Sequence, residues 1–325
     1  MWSTNLGIRV TESDPAARAP LTVVSIWNNR VDGVRQSIAS ILAQCREGDR
    51  CLIVDDGSTD GTLDALRAVV ADLTSIDAEV LSWANMGFTH ALVQATRRVE
   101  TEYFALHGAG DVCAPNRLAV QLDHAERSGA VVIGCAVGSV DASGRMSSTE
   151  RLPRDVPRGQ AQPHRPPRPG THGAALIRTA AFQAAGGYRP EFRYSQDADL
   201  WFRMSALGDF SGVTELLYWK YRGVGETVSS DPSKRFLQAL YGELARQCEE
   251  DRSAGRSDLV ERFGHDAVMF LRDTPRLQKR LIRSGIDSID LALMRGLLQD
   301  EDPRGDDADA SLVYGTLSRL RRMLQ

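Results

Sequence analysis

The stretch from Leu52 to Thr62, Leu-Ile-Val-Asp-Asp-Gly-Ser-Thr-Asp-Gly-Thr, constrains this chain more than any other. Three apolar residues, two of them β-branched, read as the end of a buried strand. Two carboxylates, Asp55 and Asp56, follow at once, and then the turn-formers Gly57 to Gly61. From Thr62 onward Leu63, Leu66, Val69, Val70 and Leu73 recur at helical spacing. A strand, a polar turn and a helix make one unit of an α/β layer. In open α/β sheets ligands lie at the carboxyl ends of the strands, where this turn falls. Ser58 or Thr59 can cap the helix, but capping does not require two adjacent acids.

The same alternation extends along the first half of the chain. Leu21 to Trp27 reads as a strand ended by Asn28 and Asn29, and Val34, Ile38, Ile41 and Leu42 as a helix. Cys51–Val54, Ala78–Trp83, Tyr103–Leu106 and Ala130–Ala136 read as further strands, with helices from Phe88 to about Arg98 and from Asn116 to Arg127. Pro115 stands at the start of the latter, as a first-turn proline does. Strands alternating with helices imply crossovers and a mostly parallel sheet flanked by helices. The first strand is followed by neither a Gly-x-Gly-x-x-Gly turn nor a Walker loop, which weighs against dinucleotide and P-loop readings.

Prolines 153, 157, 163, 166, 167 and 169 crowd into residues 147–170 among several arginines. That composition predicts a mobile loop, acting as a spacer or as a lid. Further on, Gly186-Gly187 ends a helix from Thr179. Ser195-Gln-Asp-Ala-Asp-Leu-Trp-Phe-Arg203 opens another, with Asp197 and Asp199 suiting its positive end. Glu215–Tyr221 is strand-like. From Pro232 the pattern is helical only. Leu237, Leu240, Leu244 and Cys248 share one face, Ser257-Asp258 caps a helix carrying Val260, Phe263, Val268 and Leu271, and further helices start at Pro275 and run through Leu297. A basic helix, Leu312 to Leu324, closes the chain. The expected organisation is a loose leader over 1–20, an α/β domain over 21–230 and an all-helical C-terminal region over 231–325.

The formal net charge of −4 argues against nucleic acid as a main partner. Five cysteines, an odd number without metal-type spacing, suggest reduced thiols. No apolar run approaches the ~18 residues that span a bilayer, and the N-terminus lacks a signal-peptide pattern. The expectation is a cytoplasmic protein. Peripheral membrane contact, or a homo-oligomer through the C-terminal helices, is left open by Arg319, Arg321 and Arg322 beside Leu317, Leu320 and Leu324.

Three acidic points remain, Asp55-Asp56, Asp111 and Asp197, which a doubly wound domain can bring to one sheet edge. With them the sequence resembles the family-2 glycosyltransferases, inverting nucleotide-sugar enzymes of the GT-A fold, over residues 21 to 230. Val54-Asp-Asp-Gly-Ser-Thr-Asp-Gly-Thr62 is similar to that family's first signature, and Asn85-Met-Gly87 to its Asn-x-Gly turn. His172-Gly-Ala-Ala and Gly186-Gly-Tyr188 look like its acceptor-side segment. Gln196-Asp-Ala-Asp-Leu-Trp-Phe-Arg203 resembles its Glu-Asp-x-Asp-Leu-x-x-Arg block, and Tyr221-Arg222 its closing Tyr-Arg pair.

The resemblance implies a glycosyl transfer from a nucleotide-diphosphate donor, a UDP-sugar first, to a saccharide or glycoconjugate acceptor. It implies Asp197 as the general base. Ser25, Trp27, Asp55, Asp56, Asn85, Gly87 and Arg222 would bind the nucleotide, with Arg203 serving either the diphosphate or a structural ion pair. It implies Asp111 as the ligand of a divalent cation, Mg2+ or Mn2+. Three positions depart from the pattern. Gly108-Ala-Gly-Asp111 stands where the family has Asp-x-Asp-Asp, Gln196 replaces an acid, and Val224 replaces a histidine. The first departure keeps a non-catalytic sugar-nucleotide binder in play. A nucleotidyltransferase on the same fold is disfavoured, since Trp27-Asn-Asn-Arg30 is not a Gly-rich phosphate loop.

Overall fold

The structure, a computed structural model, describes residues 19–73, 77–141, 143–162, 165–222, 232–272, 274 and 277. Most of the expected leader, Val224 and the helices expected beyond Pro275, with Leu312–Leu324 among them, lie outside the described residues.

Strands β1 (Leu21–Trp27), β2 (Arg50–Asp56), β3 (Asp77–Trp83) and β4 (Tyr103–Leu106) are joined through helices α1 (Val34–Leu42), α2 (Thr62–Leu73) and α3 (Phe88–Thr96). There follow β5 (Val112–Cys113), α4 (Arg117–Ser128), β6 (Val132–Asp141), β7 (Leu176–Arg178), α5 (Thr179–Ala184), α6 (Gln196–Ser205), β8 (Phe210–Arg222), α7 (Pro232–Ser253) and α8 (Leu259–Phe263). The sheet order is β3-β2-β1-β4-β7-β6-β8-β5. β7 is antiparallel to β4 and β6, and β5 to β8, while the remaining pairings are parallel. Six strands therefore end at one edge, and the loops after β1, β2, β3, β4 and β6 start there. The chain steps from β1 outward to β2 and β3, then crosses to the other side of β1 to form β4. The strand order thus reverses at β1, which is the switch point where open α/β sheets hold ligands.

The sequence periodicity explains these elements. All seven residues of β1 are buried, as in a strand covered on both faces. Val34, Ile38, Ile41 and Leu42 of α1 enter a core with Trp27, Ile53, Leu66 and Val69. Each such side chain contributes roughly 1.5–3 kcal/mol on leaving water.

Several expectations change. β2 continues through Asp55 and Asp56, so both acids belong to the strand and not to the turn. The 147–170 stretch, expected as a mobile loop, is bound to the sheet along much of its course. Arg151 N–H donates to the Val137 carbonyl at 3.0 Å, and Val156 and Phe210 exchange backbone hydrogen bonds at 2.9 Å. Sheet glycines make room for it. A Cβ on Gly134 would lie 2.3 Å from the Pro169 carbonyl oxygen, and one on Gly212 would lie 2.5 Å from Pro153. The helix capped by Asp258 stops at Phe263, because Gly264 (φ 55°) turns it into a 3-10 segment over Gly264–Phe270.

The chain divides into two compact units, and the division does not fall at 230/231. The first holds 1–161, 167–187 and 204–223, and the second 162–166, 188–203 and 224–325. The segment carrying Asp197 thus groups with the helical region. The second unit has its own core, in which Phe192 and Phe202 pack with Leu237, Leu240, Tyr241, Leu244 and Cys248.

Candidate functional site

Successive strand residues face opposite sides of a sheet, so the adjacent acids of β2 have different surroundings. Asp55 lies on the side of Cys51 and Ile53 and is 1% exposed. Its Oδ2 accepts the Ser58 N–H at 3.1 Å. Its Oδ1 is buried and has no hydrogen-bond partner among the described residues. Asp56, also buried, accepts the Met86 N–H at 2.9 Å and the Gly87 N–H at 3.0 Å. Gly87, at φ 87°, is the N-cap of α3, so the carboxylate sits at the positive end of that helix. Asp56 therefore holds the Asn85–Gly87 turn, while Asp55 keeps one oxygen unfilled. Gly57, at φ 69°, is required here, since a Cβ would meet the Asn85 nitrogen at 2.6 Å.

The loops after β1 and β2 are zipped together. Asn29 N–H donates to Ser58 Oγ at 2.9 Å, Thr59 N–H to Asn29 Oδ1 at 2.8 Å, Arg30 N–H to Thr62 Oγ1 at 2.8 Å and Val31 N–H to Asp60 Oδ2 at 3.1 Å. Burial works against the Asp60 carboxylate, yet the Thr62 hydroxyl and the donated N–H groups hold its pKa below the ordinary value. Asn29 carries φ 49°, a left-handed conformation that asparagine tolerates. Ser25 and Trp27 are buried and engage each other, the indole N–H donating to Ser25 Oγ at 2.8 Å. What they offer a ligand is their backbone.

The third acid, Asp111, stands across the switch point, in the loop after β4. Tyr218 Oη–H donates to its Oδ2 at 2.6 Å, and Tyr221 N–H to its Oδ1 at 2.7 Å. The same Tyr218 oxygen accepts the Gly108 N–H at 2.9 Å. Burial pushes the Asp111 pKa up, opposed by the Tyr218 hydroxyl, the Tyr221 N–H and the charges of Lys220 and Arg30. A Cβ at Gly108 would lie 2.3 Å from Asp111 Oδ2, and one at Gly110, whose φ is 82°, would lie 3.2 Å from the Tyr221 ring. An acid at 108 or 110 would therefore displace the Asp111 carboxylate or the Tyr221 ring, and at 110 it would also strain the backbone. The loop's remaining carboxylate is 8% exposed, and each of its oxygens accepts a hydrogen bond. Among the described residues no three His, Cys, Asp or Glu side chains group as a metal site. This donor set does not fit a divalent cation held by protein carboxylates. Arg222 meets Glu150 at 2.7 Å on the exposed side of β8.

Tyr218, His107 and Arg117 support this loop and carry no motif that marks them in the sequence. His107 Nε2 is 2.9 Å from Ser37 Oγ. Burial, helped by the Arg117 charge, lowers the His107 pKa to about 3, so the ring is neutral. The Arg117 guanidinium lies 4.8 Å from the Tyr218 ring centroid and donates to the Leu106 carbonyl at 2.9 Å.

In the second unit, Asp197 is half-buried in the first turn of α6, two residues after Ser195, whose φ of 54° is rare for a residue with a side chain. Asp199, two residues on, is fully buried and ion-paired with Arg189 and Arg203, the latter at 2.7 Å. Arg189 reaches Asp258 at 2.8 Å, which also meets Arg252 at 2.6 Å and caps α8 in a capping box with Glu261. Within the acidic block, then, Asp199 and Arg203 are structural.

A sequence profile described as Glycosyl transferase family 2 matches residues 22–186, just over half the chain. The chain belongs to glycosyl transferase family 2. A putative glycosyltransferase, EpsE of Bacillus subtilis (strain 168), is 28% identical over 192 residues. That match covers 56% of this chain and 66% of the relative, so it spans slightly less than two thirds of its length. Among solved structures, the mannosyltransferase PcManGT from Pyrobaculum calidifontis, in complex with GDP-Man and Mn2+, is similar with a TM-score of 0.54 at 17% identity. The match covers 94% of this chain and 82% of that one. S. aureus TarS 1-349 in complex with UDP-GlcNAc is similar with a TM-score of 0.50 at 15% identity, covering 82% of this chain and 79% of that one. At these identities the likeness concerns the fold, which is the GT-A α/β architecture followed by helices. Among the described residues no helix is long and apolar enough to cross a membrane.

Proposed function

We propose that this family-2 chain is an inverting glycosyltransferase, moving a sugar from a nucleoside-diphosphate donor to an acceptor hydroxyl in polysaccharide or glycoconjugate synthesis. The observation that carries the reading is Asp55. A buried carboxylate oxygen without a hydrogen bond costs free energy, and this one lies where a strand end, the Ser58 turn and the loop after β1 meet. A base N–H or a ribose hydroxyl of a nucleotide completes it. Asp56 keeps the Asn85–Gly87 turn in place beside the nucleotide, and the backbone of Ser25–Trp27 lines the same edge.

The resemblance of the Gln196–Arg203 block to the family's acidic block assigns the chemical step to Asp197. Its carboxylate takes the proton of the acceptor hydroxyl as that oxygen bonds to the anomeric carbon. The bond from that carbon to the phosphate oxygen breaks, its electron pair leaves with the nucleoside diphosphate, and the configuration inverts. The ion-paired Asp199, two residues away, is unsuited to the role.

UDP-sugars are the first donors to test and GDP-sugars the second, since solved relatives of the fold are described with UDP-GlcNAc and GDP-Man. Donor turnover by the wild type should fall about 10²–10⁴-fold in Asp197→Asn with unchanged nucleotide affinity. The glycines at 108 and 110 favour a second reading, a binder without turnover. Tight UDP or GDP binding by a wild type that neither transfers nor hydrolyses any donor sugar would establish that reading instead.

A further inference from the structure

The loop after β1 and the end of β8, both packed on the Gly108–Asp111 loop, carry cations where the family's acids are missing. A Cβ on Gly33 would lie 2.8 Å from the Gly110 Cα, so the segment that starts at Arg30 packs backbone to backbone on the Gly108–Asp111 loop. On the other side, β5 pairs antiparallel with β8, Val112 opposite Trp219, which sets Lys220 opposite Asp111. The Tyr221 N–H bond to Asp111 fixes that register. Arg30 is half-buried and Lys220 exposed, and among the described residues neither side chain makes a salt bridge. Each Asp111 oxygen accepts its bond from Tyr218 or Tyr221, and no ion pair of Asp111 with Arg30 or Lys220 forms among the described residues.

We infer that Arg30 and Lys220 bind the donor's diphosphate directly, replacing a carboxylate-held divalent cation at the Gly108–Asp111 loop. The inference rests on the nucleotide-sugar reading above and deepens it. A cation at a ligand-holding sheet edge lowers the energy of the charge that builds on the leaving phosphate oxygen. Arginine does so through a planar pair of N–H donors and lysine as a compact point charge. The loop glycines fit the same scheme. They remove the acids that would repel the diphosphate once no metal lies between.

The test is calorimetric titration of the full chain with UDP, GDP, uridine and guanosine, each in EDTA and in millimolar Mn2+. The expected result is diphosphate binding in EDTA that Mn2+ tightens by less than about threefold, weaker than one tenfold step of affinity. Lys220→Met and Arg30→Met should each weaken diphosphate binding about tenfold and leave nucleoside binding unchanged, whereas Lys220→Arg should restore it. Urea unfolding of each variant checks that the fold is retained. Diphosphate binding that requires Mn2+, or variants that bind UDP and GDP as the wild type does, would overturn the inference while leaving the reading intact if nucleosides still bind. If neither nucleosides nor diphosphates bind in either condition, the nucleotide-sugar reading itself fails and the inference falls with it.

Discussion

Asp55 and Asp56 are chemically identical neighbours with opposite tasks, because the pleat sends them to opposite faces of β2. Asp56→Asn replaces one acceptor by a donor facing the Gly87 N–H. It should destabilise the chain by about 1.5–3 kcal/mol, the worth of a hydrogen bond to a charged group, as read from urea unfolding. Asp55→Asn keeps an acceptor for Ser58 and places a donor at the unfilled position. Stability should barely move while nucleotide affinity drops by at least about tenfold; equal losses of stability in the two variants would remove the distinction. His107 makes a residue-scale prediction in pH. Its folded pKa of about 3 lies below the ordinary histidine value, so the unfolded chain binds a proton that the native one refuses. Stability from this group is complete above about pH 6.5 and is lost as pH falls toward the folded value, at up to about 1.4 kcal/mol per pH unit. His107→Gln should flatten the fall in urea stability between about pH 6.5 and 4.5 relative to the wild type.

At the scale of elements, α6 holds two acids in different surroundings within one turn. Asp199 is fully buried between two arginines, whereas Asp197 is half-buried and outside that network. Removing one partner of a buried pair leaves an uncompensated charge, so Asp199→Asn should cost about 3–5 kcal/mol of stability. Asp197→Asn should leave the unfolding midpoint in place and lower turnover about 10²–10⁴-fold. Comparing the two variants by urea unfolding and donor turnover checks both roles, and a destabilised Asp197→Asn would deny it a purely chemical one. The 147–170 strap shows how composition misleads at this scale. Prolines and arginines predict a free loop, but the glycines that admit it lie in β6 and β8, far away in sequence.

At the scale of the molecule, the helical region cannot be trimmed as an appendage. Arg189 shares its charge between Asp199 and Asp258, and Phe192 and Phe202 are covered by α7. Deleting residues 232–325 should leave that arginine half-paired and that apolar face wet, giving an aggregating chain and not a soluble enzyme of altered specificity. Size-exclusion chromatography of the truncation decides, and a soluble, folded fragment would count against the second unit. The sequence by itself determined the strand and helix alternation, the ends of β1, β2, β3 and β4 to within a few residues, the cap at Asp258 and the family, because each rests on local periodicity or on a contiguous motif. Only the tertiary structure decided which adjacent acid stays unfilled, that Asp199 and Arg203 neutralise each other, and that Asp111 is closed off by Tyr218 and Tyr221. The last of these depends on hydrogen-bond partners more than a hundred residues apart in the chain, and the first on the Asn85–Gly87 turn, each brought into place by strand order, which no local pattern encodes. The doubled acids that first single out the Leu52–Thr62 stretch are therefore told apart by the fold, which leaves Asp55 the one with an unfilled oxygen.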